Sequence, residues 1–147
     1  MITVKQWNTF SRTLKAPHNL VKSVYEIDIA NFDQCLKEIK SLEAPVLVTE
    51  AFSIRPSSEI TDKYSTAFTV LMQLHQREQS PETKEDLLAD TQQIIFAIRR
   101  LMLDLKESSQ CTLMRNLEPR SISINKVGPL ADSMFGWRMT FDIIDEF

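Results

Sequence analysis

A chain of 147 residues, 43% hydrophobic and 25% charged, has the composition of an ordinary folded domain and enough length to bury a core without metals or disulfides, so a single domain over 1–147 is expected. Its formal net charge of −3, from 17 bases against 20 acids, offers no basic excess for the phosphate backbone of nucleic acid and no acidic tail for a disordered arm. No run of about 18 apolar residues is present to cross a membrane; the best stretch, 94–105, is cut by Arg99 and Arg100.

Residues 2–14 read as a short helix with Val4, Trp7, Phe10 and Leu14 loosely on one side. It stops before Ala16-Pro17, because a residue preceding proline avoids the helical region. This helix is expected either to dock or to fray, and the segment 1–22 to be at one extreme a peripheral N-terminal helix or arm. From 23 to 29, Tyr25, Ile27 and Ile29 alternate with Val24, Glu26 and Asp28, which fits a strand and leaves a helix open. Asn31 is a suitable N-cap for a helix to about Leu42, with Phe32, Cys35, Leu36, Ile39 and Leu42 inward, stopped by Glu43-Ala44-Pro45.

An apolar stretch over 46–54 places Val46, Val48, Phe52 and Ile54 on one face, and Arg55-Pro56-Ser57-Ser58 interrupts it with turn chemistry. Over 63–76, Tyr64, Phe68, Val70, Met72 and Leu74 alternate with Ser65, Ala67, Thr69, Gln73 and His75, the clearest strand pattern in the chain. The two stretches are expected to pair as an antiparallel hairpin. The organising element follows at 80–107, where Leu87, Leu88, Thr91, Ile94, Ile95, Ile98, Leu101, Met102 and Leu105 form one helical stripe. Ser80 caps it and Pro81 opens it. Glu82, Glu85, Asp86 and Asp90 sit at its positive end, with Arg99, Arg100 and Lys106 toward the negative one.

Breaks at Ser108-Ser109-Gln110 and Asn116-Leu117-Glu118-Pro119 lead to an alternating strand at 121–125. Gly128-Pro129 is expected to turn the chain, and a terminal strand over 137–144 alternates Trp137, Met139, Phe141 and Ile143 with Arg138, Thr140 and Asp142. The fold class is thus α+β: a mostly antiparallel sheet packed against one long helix and one or two shorter ones, with the helices covering one sheet face.

Chemistry-bearing motifs are missing. Cys35 and Cys111 lie far apart and imply neither a disulfide framework nor a zinc site. A cysteine nucleophile needs a base, and the two histidines, His18 and His75, form no signature with either. The carboxylate groups Glu85/Asp86/Asp90 and Asp142/Asp145/Glu146 are explained by a helix end and a chain end, and nothing places them in a cleft. Nucleophile elbows, glycine-rich phosphate loops and paired-histidine metal motifs do not occur. No catalytic, cofactor-binding or metal residue is therefore assigned. Residues 1–8 lack the apolar core of a secretory signal, so a cytosolic setting is the default expectation.

The run Asp132-Ser133-Met134-Phe135-Gly136-Trp137-Arg138-Met139-Thr140-Phe141, after an isolated strand and a Gly-Pro pair, resembles the ending of small tail-terminator and neck proteins of tailed bacteriophages. In these an acidic residue and a Gly-Trp pair introduce the last alternating strand. The order of elements over 31–144 agrees. The resemblance implies a non-enzymatic virion protein, assembled in the host cytoplasm, that forms a homo-oligomeric ring and meets tail-tube or neck proteins, without a membrane or sequence-specific nucleic acid. A small intracellular adaptor or protein-binding domain is the alternative, and an enzyme of unknown chemistry the more distant one. Under the first reading Arg55, Ser57, Ser58 and Glu59 in the 55–62 loop, with the outward Arg138 and Thr140, are the expected contacts. Trp137 is expected as a core anchor, and Gly136 as a tight or positive-φ position leading into the strand.

Overall fold

The computed structural model describes residues 1–14, 21–27, 32–74, 80–130 and 133–146. Helix α1 spans Val4–Thr13, followed by strand β1 (Ser23–Ile27), helix α2 (Phe32–Lys40) and strands β2 (Val46–Glu50), β3 (Ser53–Pro56) and β4 (Thr61–Gln73). The long helix α3 (Pro81–Ser108), the one-turn α4 (Thr112–Arg115), a 3-10 turn at Pro119–Ser121, and strands β5 (Ser123–Leu130) and β6 (Met134–Glu146) complete the α+β domain. The sheet order is β1-β2-β4-β6-β5, with β3 pairing β4. Among the described residues only the β1–β2 pair is parallel, and the stretch left open between helix and strand is a strand over Ser23–Ile27, with 28 and 29 outside the described residues. The expected N-cap Asn31, both histidines and Asp132 lie outside the described residues.

The spine is the β4–β6 pair, antiparallel in unbroken register from Thr61↔Glu146 to Gln73↔Met134. Alternation along both strands sends Phe68, Val70, Met139 and Phe141 to one face. There they meet Ile94, Ile95, Ile98 and Met102 of α3 in the main core. Helix α3 forms where local signals place it: the Ser80 hydroxyl accepts from the Thr83 N–H at 3.1 Å, and Ser109 closes it at φ 54 in the left-handed region. Thr91 is buried within the stripe because its hydroxyl donates to the Leu87 carbonyl at 2.9 Å.

Helix α1 is not a peripheral arm. Thr3 and Gln6 cap it reciprocally, the Gln6 N–H donating to the Thr3 hydroxyl at 3.2 Å and the Thr3 N–H to Gln6 Oε1 at 2.9 Å. It then drives Trp7, 1% exposed, into the main core. The Trp7 ring stacks on Phe68 with centroids 5.2 Å apart, stands 5.9 Å from Phe141, and donates its indole N–H to the Glu50 carbonyl at 3.2 Å. Val4 is exposed and does not share this face.

The helices do not all cover one face. Leu36 and Ile39 of α2 form a second core with Val46, Val48, Leu71 and Met134, residues that alternate with those of the main core and so point to the opposite side of the sheet. The stretch 46–54 is also not one strand. Pairing runs Val46↔Leu71 to Thr49↔Phe68 and resumes at Ser53↔Ser65, leaving three residues opposite two. One extra residue bends the strand and exchanges its faces, so Ile54, opposite Tyr64, leaves the face of Val46 and Val48, and on this exposed edge strand it is 52% exposed instead of buried. Arg55 and Pro56 lie in β3, and the turn occupies 57–60, closed by the Ser57 N–H donating to the Thr61 carbonyl at 2.9 Å.

Near the C-terminus, Gly128 and Pro129 do not reverse the chain. They sit inside β5, where the register shifts between Val127 and Leu130, and Gly128 holds φ 113, a conformation suited to glycine. Gly136 has no positive φ; it is needed because a Cβ there would lie 1.7 Å from the Val70 carbonyl oxygen. Trp137 is half-buried rather than a core anchor. It fastens α3 to β6 through its indole N–H, which donates to the Leu88 carbonyl at 2.8 Å.

Candidate functional site

The expected contact residues form two separate surfaces. Arg55, Ser57, Ser58 and Glu59 are exposed at the end of the β3–β4 hairpin, beside Ile54 and Ile60, which are 52% and 62% exposed. The turn is held by a 2.7 Å hydrogen bond between the Ser58 and Thr61 hydroxyls. Arg138 and Thr140 lie opposite Thr69 and Ala67, six to eight residues up β4 from Thr61, or roughly 20–27 Å at the rise of a strand.

That second surface is the half of the outer sheet face that α2 leaves open. Its charged centre is a bidentate pair: Arg138 donates from Nε and Nη2 to the two Glu50 carboxylate oxygens at 3.0 and 2.9 Å. The hydrogen bonds to Glu50 raise the Arg138 pKa, against a smaller opposing effect of burial, so the guanidinium stays charged. With side chains 40% and 27% exposed, it contributes on the order of 1 kcal/mol. Ser65 donates to Asp142 at 2.5 Å, and a groove of about 440 Å³ runs among Glu50, Ser53, Ser65, Arg138, Thr140 and Asp142. Arg138 thus faces outward as its alternation implies, with its fork already filled from within the chain.

Sequence reasoning missed Glu50, which lies 88 residues from its partner and shows no local signal. It also missed the pairing of Tyr25 with Glu38, in which the phenol donates to the carboxylate and ties α2 to β1. That bond, with a further contribution from Cys35, raises the Tyr25 pKa well above its ordinary value. Cys35 and Cys111 are free thiols. Among the described residues no group of three or more His, Cys, Asp or Glu side chains gathers at metal-binding distance, and no helix is long and apolar enough to cross a membrane.

Among the described residues three strands have a single strand partner: β1 pairs only with β2, β3 only with β4, and β5 only with β6. All four residues of β3 are exposed. The far end of β6 is covered differently: the Glu118 N–H donates to the Asp142 carbonyl at 3.0 Å and the Ile144 N–H to the Asn116 carbonyl at 3.0 Å, with a single bridge at Leu117↔Ile143. Compared with known proteins, the chain matches no protein-family model, and no curated protein matches it significantly in sequence.

Proposed function

We propose that the chain is a non-catalytic structural subunit of a phage virion, a tail terminator or other neck component, that assembles in the host cytoplasm into a homo-oligomeric ring and meets tail-tube or neck proteins. The observation that carries this reading is that the sheet has single-partnered edge strands on both sides, β3 and β1 on one and β5 on the other, with β3 exposed along its whole length. Unlike edges on one subunit favour head-to-tail association, and such an association closes into a ring when the rotation between copies allows. Exposed Ile54 and Ile60 give the β3 side apolar area to bury. Arg55 and Pro56 on β3, and Lys126 and Pro129 on β5, guard these edges against indiscriminate pairing. The resemblance of 132–141 to the ending of tail-terminator and neck proteins supplies the virion context.

Light scattering on the purified chain, alone and mixed with a candidate tail-tube protein, followed by negative-stain imaging, tests the proposal. Rings are expected in at least one condition. Ile54→Asp with Ile60→Asp is expected to abolish them while leaving the thermal midpoint unchanged. Persistent monomers under both conditions, with no ring in the images, would overturn the ring and leave a small adaptor domain as the better reading.

A further inference from the structure

Where α3 ends, the chain makes a cleft that the assembly reading does not use. The α4–β5 connection is pinned along β6 by the two backbone hydrogen bonds at 116–118, which places Arg115 before the pinned segment and Arg120 after it. From the other side Lys106, in the last turn of α3, donates its ammonium to the Arg115 carbonyl at 2.9 Å. The space between them is about 610 Å³, with Pro119 and Ile144 supplying its apolar surface.

Among the described residues, three cations therefore line one concavity with Glu118 as the only acid, a local excess of positive charge in a chain whose net charge is −3. Among the described residues, neither the Arg115 nor the Arg120 guanidinium has an ion pair or a side-chain hydrogen bond. Three other arginines are paired: Arg12 with Glu26 at 2.7 Å, Arg138 with Glu50 at 2.9 Å and Arg100 with Asp104 at 3.5 Å. Like charges in a cleft focus their field into it, and a guanidinium fork suits the paired oxygens of a phosphate group. The volume lies within the range of small-molecule sites and exceeds what a bare phosphate fills, while the apolar floor suits an organic portion.

We infer that the cleft bounded by Lys106, Arg115 and Arg120 binds a small organic phosphate, with the two guanidiniums gripping the phosphate, Lys106 adding the third charge, and Pro119 and Ile144 receiving the organic part. This site is independent of the ring and stands or falls separately from it. Inorganic phosphate, pyrophosphate and ribose 5-phosphate, titrated against the whole chain by calorimetry and by amide NMR, are the probes, with succinate as a phosphate-free dianion. Saturable binding is expected, centred on the amides of 115–120, with ribose 5-phosphate tighter than inorganic phosphate. Arg115→Ala with Arg120→Ala is expected to weaken it at least tenfold. Arg99→Ala with Arg100→Ala, an equal loss of charge on the neighbouring helix face, is expected to change it less than twofold.

Three results would overturn the inference: no saturable shift with any probe, succinate binding as tightly as the phosphates, or an equal loss in both double variants. The last would indicate a diffuse basic surface, as would a short oligonucleotide binding with an affinity that both variants reduce alike. Arg100, Arg115 and Arg120 are exposed and Arg99 is half-buried, so the variants are expected to fold, and the wild-type titration decides the question without them.

Discussion

Replacing Gly136 with alanine sets two effects of opposite sign against each other. Alanine has fewer conformations to lose on folding, worth about 0.4–1 kcal/mol in its favour where the native backbone accepts it. The backbone at Gly136 has no positive φ, so its dihedrals raise no objection. Space does. The added Cβ would lie 1.7 Å from the Val70 oxygen, 2.8 Å from the Val70 carbonyl carbon and 3.2 Å from the Leu71 Cα. These are backbone atoms of β4, which pairs Leu71 with Gly136, and β5 holds Gly136 from the other side through Val127. Reaching even 3.0 Å requires β4 and β6 to part locally by about 1.3 Å, more than a backbone hydrogen bond survives. Losing two such bonds at about 1 kcal/mol each, with about 1–3 kcal/mol of overpacking strain, outweighs the alanine advantage. The net expectation is a destabilisation of about 2–4 kcal/mol, a fall in thermal midpoint of roughly 5–15 °C for a chain of this length. Thermal unfolding followed by circular dichroism measures it. A midpoint within 2 °C of the wild type, or above it, would refute the steric argument and show that the central strand pair yields without losing its bonds.

Ile98→Asp places a charge at a position 3% exposed in the main core and is expected to cost about 3–5 kcal/mol, read as the same midpoint. Arg100→Glu, which removes only an exposed 3.5 Å contact with Asp104, is expected to stay within about 0.5 kcal/mol; equal effects of the two would contradict the inward stripe. The tryptophans separate by environment. Trp7→Ala is expected to cost about 3–5 kcal/mol, and Trp137→Phe, which leaves the Leu88 carbonyl without its indole donor, about 1–2 kcal/mol. In Trp137→Phe the remaining Trp7 should emit at short wavelength and resist acrylamide, whereas in Trp7→Phe the remaining Trp137 should be quenched more readily. The reverse order of quenching would restore α1 to a peripheral position.

The parts of the fold that were legible are those whose causes are local. Helix α3 is capped by Ser80 three residues from its donor and striped at its own period, so its expected span, 80–107, differs from Pro81–Ser108 by one residue at each end. Strands β4 and β6 announce themselves by alternation, because their largest apolar side chains fall on the face toward α3 and α1, even though Leu71 and Met134 are buried on the other. Illegible features depend on residues distant in sequence. The extra residue between β2 and β3 shows only when both are paired with β4, so a continuous apolar run concealed a change of face at Ile54. Trp7 becomes central because Phe68 and Phe141 offer it a surface, which α1 does not reveal on its own. Gly128-Pro129 carries the same local chemistry in a turn or in a bulge, and the pairing of β5 with β6 selects the bulge. Of the surfaces, the hairpin tip was readable from Arg55-Pro56-Ser57-Ser58. The basic cleft was not, since Lys106, Arg115 and Arg120 belong to three elements and converge only because 116–118 is fastened to β6.

The separation between the two expected contact surfaces bears directly on the ring reading. A two-fold dimer uses one self-complementary patch, whereas a ring needs two unlike patches on every copy, a donor and a receiver. Had Arg55–Glu59 and Arg138–Thr140 met in one place, a dimer would have been the simpler assembly. They stand roughly 20–27 Å apart along β4, with exposed Ile54 and Ile60 on the first and the Glu50–Arg138 pair at the centre of the second. Their chemistry divides the work as well. Burying two isoleucines supplies affinity in proportion to the apolar area covered. A half-exposed ion pair already satisfied within its own chain supplies little affinity and instead selects against wrongly charged neighbours. In a head-to-tail ring, then, substitutions at Ile54 and Ile60 should act on whether rings form. Arg138→Glu, which opposes Glu50 with a like charge, should act on which surface the polar face accepts.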